Sequence, residues 1–149
     1  MYEHLTRAAQ AVVKGAGIYA DELGQEYVGT EHVLLAIAAQ RGDGAAQLLA
    51  RHRVGITALR EKIEQLVKDQ LSDDLVLGSL PSTLHLQHMM THAIEWSRKL
   101  KRTEVNTRHL LLAVIEEQHS VARVALLELG VDLDALRKDL LTPKPAKGT

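Results

Sequence analysis

Apolar residues recur at intervals of three and four along nearly the whole chain, and no stretch alternates apolar with polar as a half-buried strand does. The spacing predicts a first helix over about 6–23, with Ala9, Val12, Val13, Ala16, Ala20 and Leu23 in one stripe and Gly24 as its stop. A second helix is predicted from Thr30, whose hydroxyl suits an N-cap, with Val33, Leu34, Ile37 and Ala38 facing inward. The turn at 42–44 leads to a short third helix through Ala45, Leu48 and Leu49. A fourth carries Ile56, Leu59, Ile63, Leu66 and Val67. The four elements then return. Leu86, Met89, Met90, Ala93, Ser97 and Leu100 make the first stripe, and Thr107 is the expected cap of a helix with Leu110, Leu111, Val114 and Ile115. Leu126 and Leu127 lie on the third helix, and Leu133, Leu136 and Leu140 on the fourth.

The return is a duplication. A block of about 58 residues occurs twice without a gap, 77 positions apart, pairing Thr6 with Thr83, Thr30 with Thr107, His32 with His109 and Leu59-Arg60 with Leu136-Arg137. The fold class is therefore all-α: two pseudo-symmetric four-helix repeats, about 2–70 and about 83–141, packed face to face because neither alone is large enough to bury a full core. Residues 71–82 have the composition of a linker, and 142–149 that of a flexible tail. A duplicated body of this kind carries two related surface sites and is more often a docking module than a catalyst.

Composition narrows the picture. With no Phe and 3% aromatic residues the core has to be aliphatic. A net charge of -1 gives no electrostatic reason for bulk nucleic-acid binding, and no run of about 18 apolar residues exists to span a membrane. Zero cysteines exclude disulfides and suit a cytoplasmic protein. There is no phosphate-binding Gly-x-x-x-x-Gly-Lys loop, no nucleophile paired with a base and no complete metal-ligand set, so the chain is expected to be neither an enzyme nor dependent on a cofactor. His85, His88 and His92, at i, i+3 and i+7, fall within an arc of about 60° on one helix. That is metal-ligand spacing, although a histidine-rich polar face is the commoner meaning. Trp96 flanks the stripe of the same helix, where packing at the core edge is the favoured role.

The segment Val28-Gly-Thr-Glu-His-Val-Leu-Leu-Ala-Ile37 resembles the signature of the Clp N-terminal repeat. Val105-Asn-Thr-Arg-His-Leu-Leu-Leu-Ala-Val114 resembles it with two non-conservative changes, Asn106 for Gly29 and Arg108 for Glu31. The Leu-Gly-Val at 129–131 and the 24-residue spacing from Thr6 to Thr30 and from Thr83 to Thr107 are also similar, most nearly to the N-terminal domains of ClpC-type unfoldases. The resemblance implies eight helices in two repeats, in a domain that precedes the ATPase rings and receives adaptor proteins and substrates, including chains marked with phosphoarginine. It also implies site residues: Glu31 for the guanidinium, Thr6 and Thr83 for the phosphate, and Tyr2 as an aromatic bordering the groove. Paired helix starts suit an anion on physical grounds as well, because their backbone N–H groups are unsatisfied and partly positive.

The second copy departs from the pattern. Arg108 stands where the second glutamate would be, and it attracts an anion but repels a guanidinium. At most the Glu31 site is then expected to keep phosphoarginine binding. His32 and His109 are read as partly buried and structural. The expected partners are protein substrates, adaptors and the Clp ATPase or protease machinery, with no nucleic acid or membrane and a monomer as the isolated domain. The alternative is a free-standing Clp-repeat accessory protein that regulates assembly of a Clp complex.

Overall fold

The computed structural model describes residues 4–77 and 82–142, with side chains except at 69–77 and 82–85. Thr6 opens α1 (Arg7–Glu22), its Oγ1 accepting from the Ala9 N–H at 3.1 Å, and Leu23 closes it. Then follow α2 (Thr30–Ala39), α3 (Gly44–Arg51), α4 (Ile56–Leu77), α5 (Ser82–Lys99), α6 (Thr107–Glu116), α7 (Val121–Glu128) and α8 (Leu133–Leu141). Among the described residues there is no strand, only one isolated parallel bridge between Leu5 and Val105. The bounds of α2 and α3, shifted by 77, are those of α6 and α7, and α4 and α8 begin 77 positions apart.

The backbone repeats the offset where it is most constrained. The described residues with positive φ fall into three pairs 77 apart: Gly24 (71°) with Lys101 (58°), Gly42 (86°) with His119 (62°), and Arg53 (64°) with Gly130 (86°). Each pair closes the same turn in the two copies, and in each one member is glycine, the residue with no steric cost there. The other member carries a side chain at a cost of about 1 kcal/mol.

α2 and α6 are apolar around most of their circumference, which is the pattern of a helix enclosed on all sides. Thr30 through Ile37 are all buried, as are Thr107 and His109 through Ile115. These two helices touch, and α1, α3 and α4 gather around one while α5, α7 and α8 gather around the other. Side chains from both copies, among them Leu34, Ile37, Leu59, Met89, Leu111 and Leu126, form one continuous cluster. A single shared core is thus the reason neither repeat needs to be stable alone.

Two expectations are corrected. Thr30 and Thr107 are not the caps of α2 and α6 but their first helical residues, and both are buried. The caps are Gly29 and Asn106, because the histidine three residues further on reaches back to the cap N–H and the chain turns one residue earlier. The stretch read as a linker from 71 is helical through Leu77, where α4 continues, and α5 begins at Ser82, so at most 78–81 separate the helices. Serine and aspartate lower helix propensity by only a few tenths of a kcal/mol each, too little to end a helix already running. Beyond Thr142 the tail lies outside the described residues, as does Tyr2.

Candidate protein-docking site

The starts of four helices were expected to build the site, and the fold joins two of them, those of α1 and α6, across the repeats. The Thr6 N–H donates to the Val105 carbonyl at 2.9 Å, and the Val105 N–H donates to the His4 carbonyl at 2.8 Å. The start of α1 is therefore fastened to the start of α6. Thr6 is consequently joined to Val105 of the second copy. α5 also packs on α2, but the Thr83 side chain lies outside the described residues.

At α2 the Gly29 N–H donates to Nδ1 of His32 at 2.8 Å. Glu31 folds back over Gly29 so closely that a Cβ there would lie 2.5 Å from its Oε1. Glycine is required at 29 for this close approach and not for its φ of -116°. Glu31 is only 1% exposed. The carboxylate expected to receive a guanidinium is thus enclosed at the helix start.

At α6 the same frame is refitted. Asn106 caps the helix with its side chain, accepting from the His109 N–H at 3.0 Å, and its own N–H donates to His109 Nδ1 at 3.0 Å. Arg108 leans away toward α8 and donates to the Asp139 carbonyl at 3.1 Å. With no carboxylate folded back, residue 106 has room for a side chain, so the Gly-to-Asn and Glu-to-Arg differences between the copies belong together. Burial lowers the Arg108 pKa, as does the nearby Arg51 cation, while Asp43 and Asp139 oppose the shift. Nearby, His52 Nε2 meets Asp139 Oδ2 at 2.7 Å, and the Thr107 hydroxyl donates to Asp43. Arg108 is half-buried, and its bond to Asp139 links α6 to α8.

His32 and His109 are wholly buried, 0% and 1% exposed, more so than expected. Burial pushes each from the ordinary 6.5 down to about 4, with Arg102 and Arg108 adding to the effect at His109. A ring whose Nδ1 accepts a backbone N–H has to be neutral, which agrees with both shifts. Trp96 packs at the core edge, donates from Nε1 to Glu116 at 2.7 Å and lies under the cations of Lys99 and Arg137. Its repeat partner Tyr19 lies under Arg60, the counterpart of Arg137.

Two members of the histidine row fall within the described side chains. His88 is exposed and 3.5 Å from a Glu117 oxygen, and His92 is partly buried; no group of three ligands converges among the described residues, and the His85 side chain is outside them. The sequence reading passed over the run Arg98-Lys99-Leu100-Lys101-Arg102, all of it exposed, whose signal was plainly a concentration of like charge.

A duplicated all-helical domain with helix starts fastened across its repeats is the class these features define. A model of the Clp repeat (R) N-terminal domain matches residues 4–129, and again 82–144, and the chain belongs to that family. It is 34% identical over 141 residues to the ATP-dependent Clp protease ATP-binding subunit ClpA homolog of Cyanidium caldarium, covering 95% of this chain and 16% of that protein. It is 30% identical over 146 residues to the chaperone protein ClpB of Oceanobacillus iheyensis, covering 95% and 17%. The chain thus spans about a sixth of the length of these curated relatives. In fold it is similar to the crystallised N-terminal domain of the caseinolytic protease-associated chaperone ClpD from Arabidopsis thaliana, with a TM-score of 0.79 at 22% identity over 95% of this chain and 94% of that one. Among the described residues no helix is long and apolar enough to cross a membrane.

Proposed function

We propose that this chain is a non-catalytic receiving domain of a Clp-type ATP-dependent unfoldase or protease, which docks substrate or adaptor proteins. The observation that carries the reading is the Leu5–Val105 junction, where helix starts from both repeats are held together beside the exposed Arg7 in a body with the Clp N-terminal fold. A rigid body with paired helix starts presents partial positive charge to a polypeptide without having to order itself first. Residues flanking that junction, Thr6 as the cap of α1 and Arg7 as its first residue, are the ones we assign to contact with a partner.

The reading is tested by competition. Excess free chain added to the Clp ATPase and protease of the same cell should slow degradation of an adaptor-delivered fluorescent substrate. An unchanged degradation rate rules the proposal out. A second reading, a free-standing accessory that alters Clp assembly, draws on the closure of both repeats around one shared core. It predicts a shift in the native mass of the Clp complex on addition of the chain, with degradation of adaptor-independent substrates altered as well.

Phosphoarginine capture does not enter the proposal, because the Glu31 carboxylate is enclosed. Calorimetric titration with free phosphoarginine should be flat; a single site that Glu31→Ala abolishes would restore that specificity.

A further inference from the structure

The two repeats share a backbone but carry opposite charge at the far ends of their first helices. In the first copy Asp21 and Glu22 end α1 and Glu26 follows, all exposed. Shifted by 77, Asp21 becomes Arg98, Glu22 becomes Lys99, Gly24 becomes Lys101 and Gln25 becomes Arg102, again all exposed. Of these, Glu22 is engaged with Arg60 at 2.8 Å and Lys99 lies 4.9 Å from the Trp96 ring centroid.

Each charged end also holds an exposed aliphatic side chain. Leu100, 37% exposed, sits in the middle of the basic run. Ile18, 53% exposed, lies three and four residues before Asp21 and Glu22 and so shares their face of α1. These are two of the three large apolar side chains exposed among the described residues.

The two patches cannot meet within one molecule. Leu5, at the start of α1, is bridged to Val105, just past the basic run, and α1 then travels its 16 residues, about 24 Å, to the acidic end. A nucleic acid is a poor occupant, because four cations span only about one helical turn and the chain as a whole is net negative. An acidic helix face with a central aliphatic residue fits better, and this chain carries one.

We infer that the Arg98–Arg102 patch docks the Ile18, Asp21, Glu22 and Glu26 face of a second copy of the chain, head to tail. Arg98, Lys101 and Arg102 meet Asp21, Glu22 and Glu26, and Leu100 lies against Ile18. The contact is heterologous, so repeated copies form a ring where the rotation closes. It is weak between free molecules, since exposed ion pairs contribute little and are screened by salt. It becomes effective where copies are held side by side, and in that respect the inference rests on the reading of the chain as part of a multi-subunit Clp machine.

The test needs neither Clp partner nor substrate, so it stands or falls separately from that reading. Equal amounts of light and nitrogen-15-labelled chain are mixed at low salt, treated with a zero-length carbodiimide and analysed by mass spectrometry, with sedimentation run in parallel. Links between light and heavy copies are expected to join Lys99 or Lys101 to Asp21, Glu22 or Glu26, and to fade as salt rises. The variant Asp21→Lys/Glu26→Lys and the variant Arg98→Glu/Lys101→Glu, all at exposed positions, should each lose association about tenfold or more, whereas mixing the two variants should restore it. Association that survives both swaps overturns the inference, as do links mapping elsewhere or a wild-type chain that stays monomeric at every concentration. A monomeric chain that instead binds a polyglutamate peptide or a single-stranded oligonucleotide through Lys101 gives the patch another occupant and equally overturns it.

Discussion

The hydroxyl of Thr107, the first residue of α6, donates to the carboxylate of Asp43, which caps α3 in the other repeat by accepting from the Ala45 N–H at 3.3 Å. One carboxylate thus opens a helix of the first copy and receives a buried side chain of the second. Asp43→Ala removes both bonds and is expected to destabilise the fold by about 2 kcal/mol, while Thr107→Val removes one and costs about 1 kcal/mol. A double-mutant cycle by urea denaturation should give a coupling of about 1 kcal/mol; strictly additive losses would show that the cross-repeat bond contributes nothing.

His32 and His109 make stability depend on pH. Each is held at about 4 in the folded chain against 6.5 when unfolded. Their folded pKa is depressed, so their full contribution is present above about pH 6.5. As pH falls below that, the unfolded chain binds protons that the folded chain refuses, and stability declines until the buried rings titrate near 4. The loss at pH 5 is on the order of 2 kcal/mol per histidine. Urea midpoints measured between pH 7 and 5 should fall steadily, and His109→Gln should roughly halve the slope. A flat profile would show that the rings charge freely in the folded state.

The left-handed positions offer a stabilising set. Lys101→Gly, His119→Gly and Arg53→Gly each match the glycine of the other repeat and remove strain worth about 1 kcal/mol, less the extra freedom glycine adds to the unfolded chain. A net gain of several tenths of a kcal/mol per site is expected in thermal or urea unfolding. Gly130→Ala, the reverse change, should destabilise.

Gly29 and Glu31 form a steric pair. Gly29→Ala drives a Cβ into the Glu31 carboxylate and should cost about 1–3 kcal/mol. Because the clash is with that side chain, pairing it with Glu31→Ala should recover a substantial part of the loss. If the double variant is no better than the sum of the singles, the backbone at 29 and not the carboxylate is the obstacle. Asn106→Gly, at the equivalent position, should cost only a few tenths of a kcal/mol through the weakened cap.

Much of the helical layout was legible in the pattern of side chains. The stripe of Ala9, Val12, Ala16 and Ala20 lies buried on α1, and Thr6 caps that helix, because periodicity and capping are local properties read within one or two turns. The caps at Thr30 and Thr107 were misread by one residue because the deciding partner, the imidazole of His32 or His109, reaches back from inside the helix, and a Thr immediately before a helical stripe is ordinarily the stronger signal. Which helix starts meet was not legible: the Leu5–Val105 bridge joins the start of α1 to that of α6, a pairing across the copies that no local spacing carries.

From its sequence alone this protein is determined to be a doubled array of helices with an aliphatic core and its family's motif at residues 28–37, since spacing and duplication survive in any register of packing. Only the tertiary structure decides that Glu31 is enclosed over Gly29, that Arg108 links α6 to α8, and that opposite charges stand at opposite ends of the body. The physical reason is that burial and pairing depend on elements distant in the chain meeting in space, and no local pattern encodes which side chains those meetings cover.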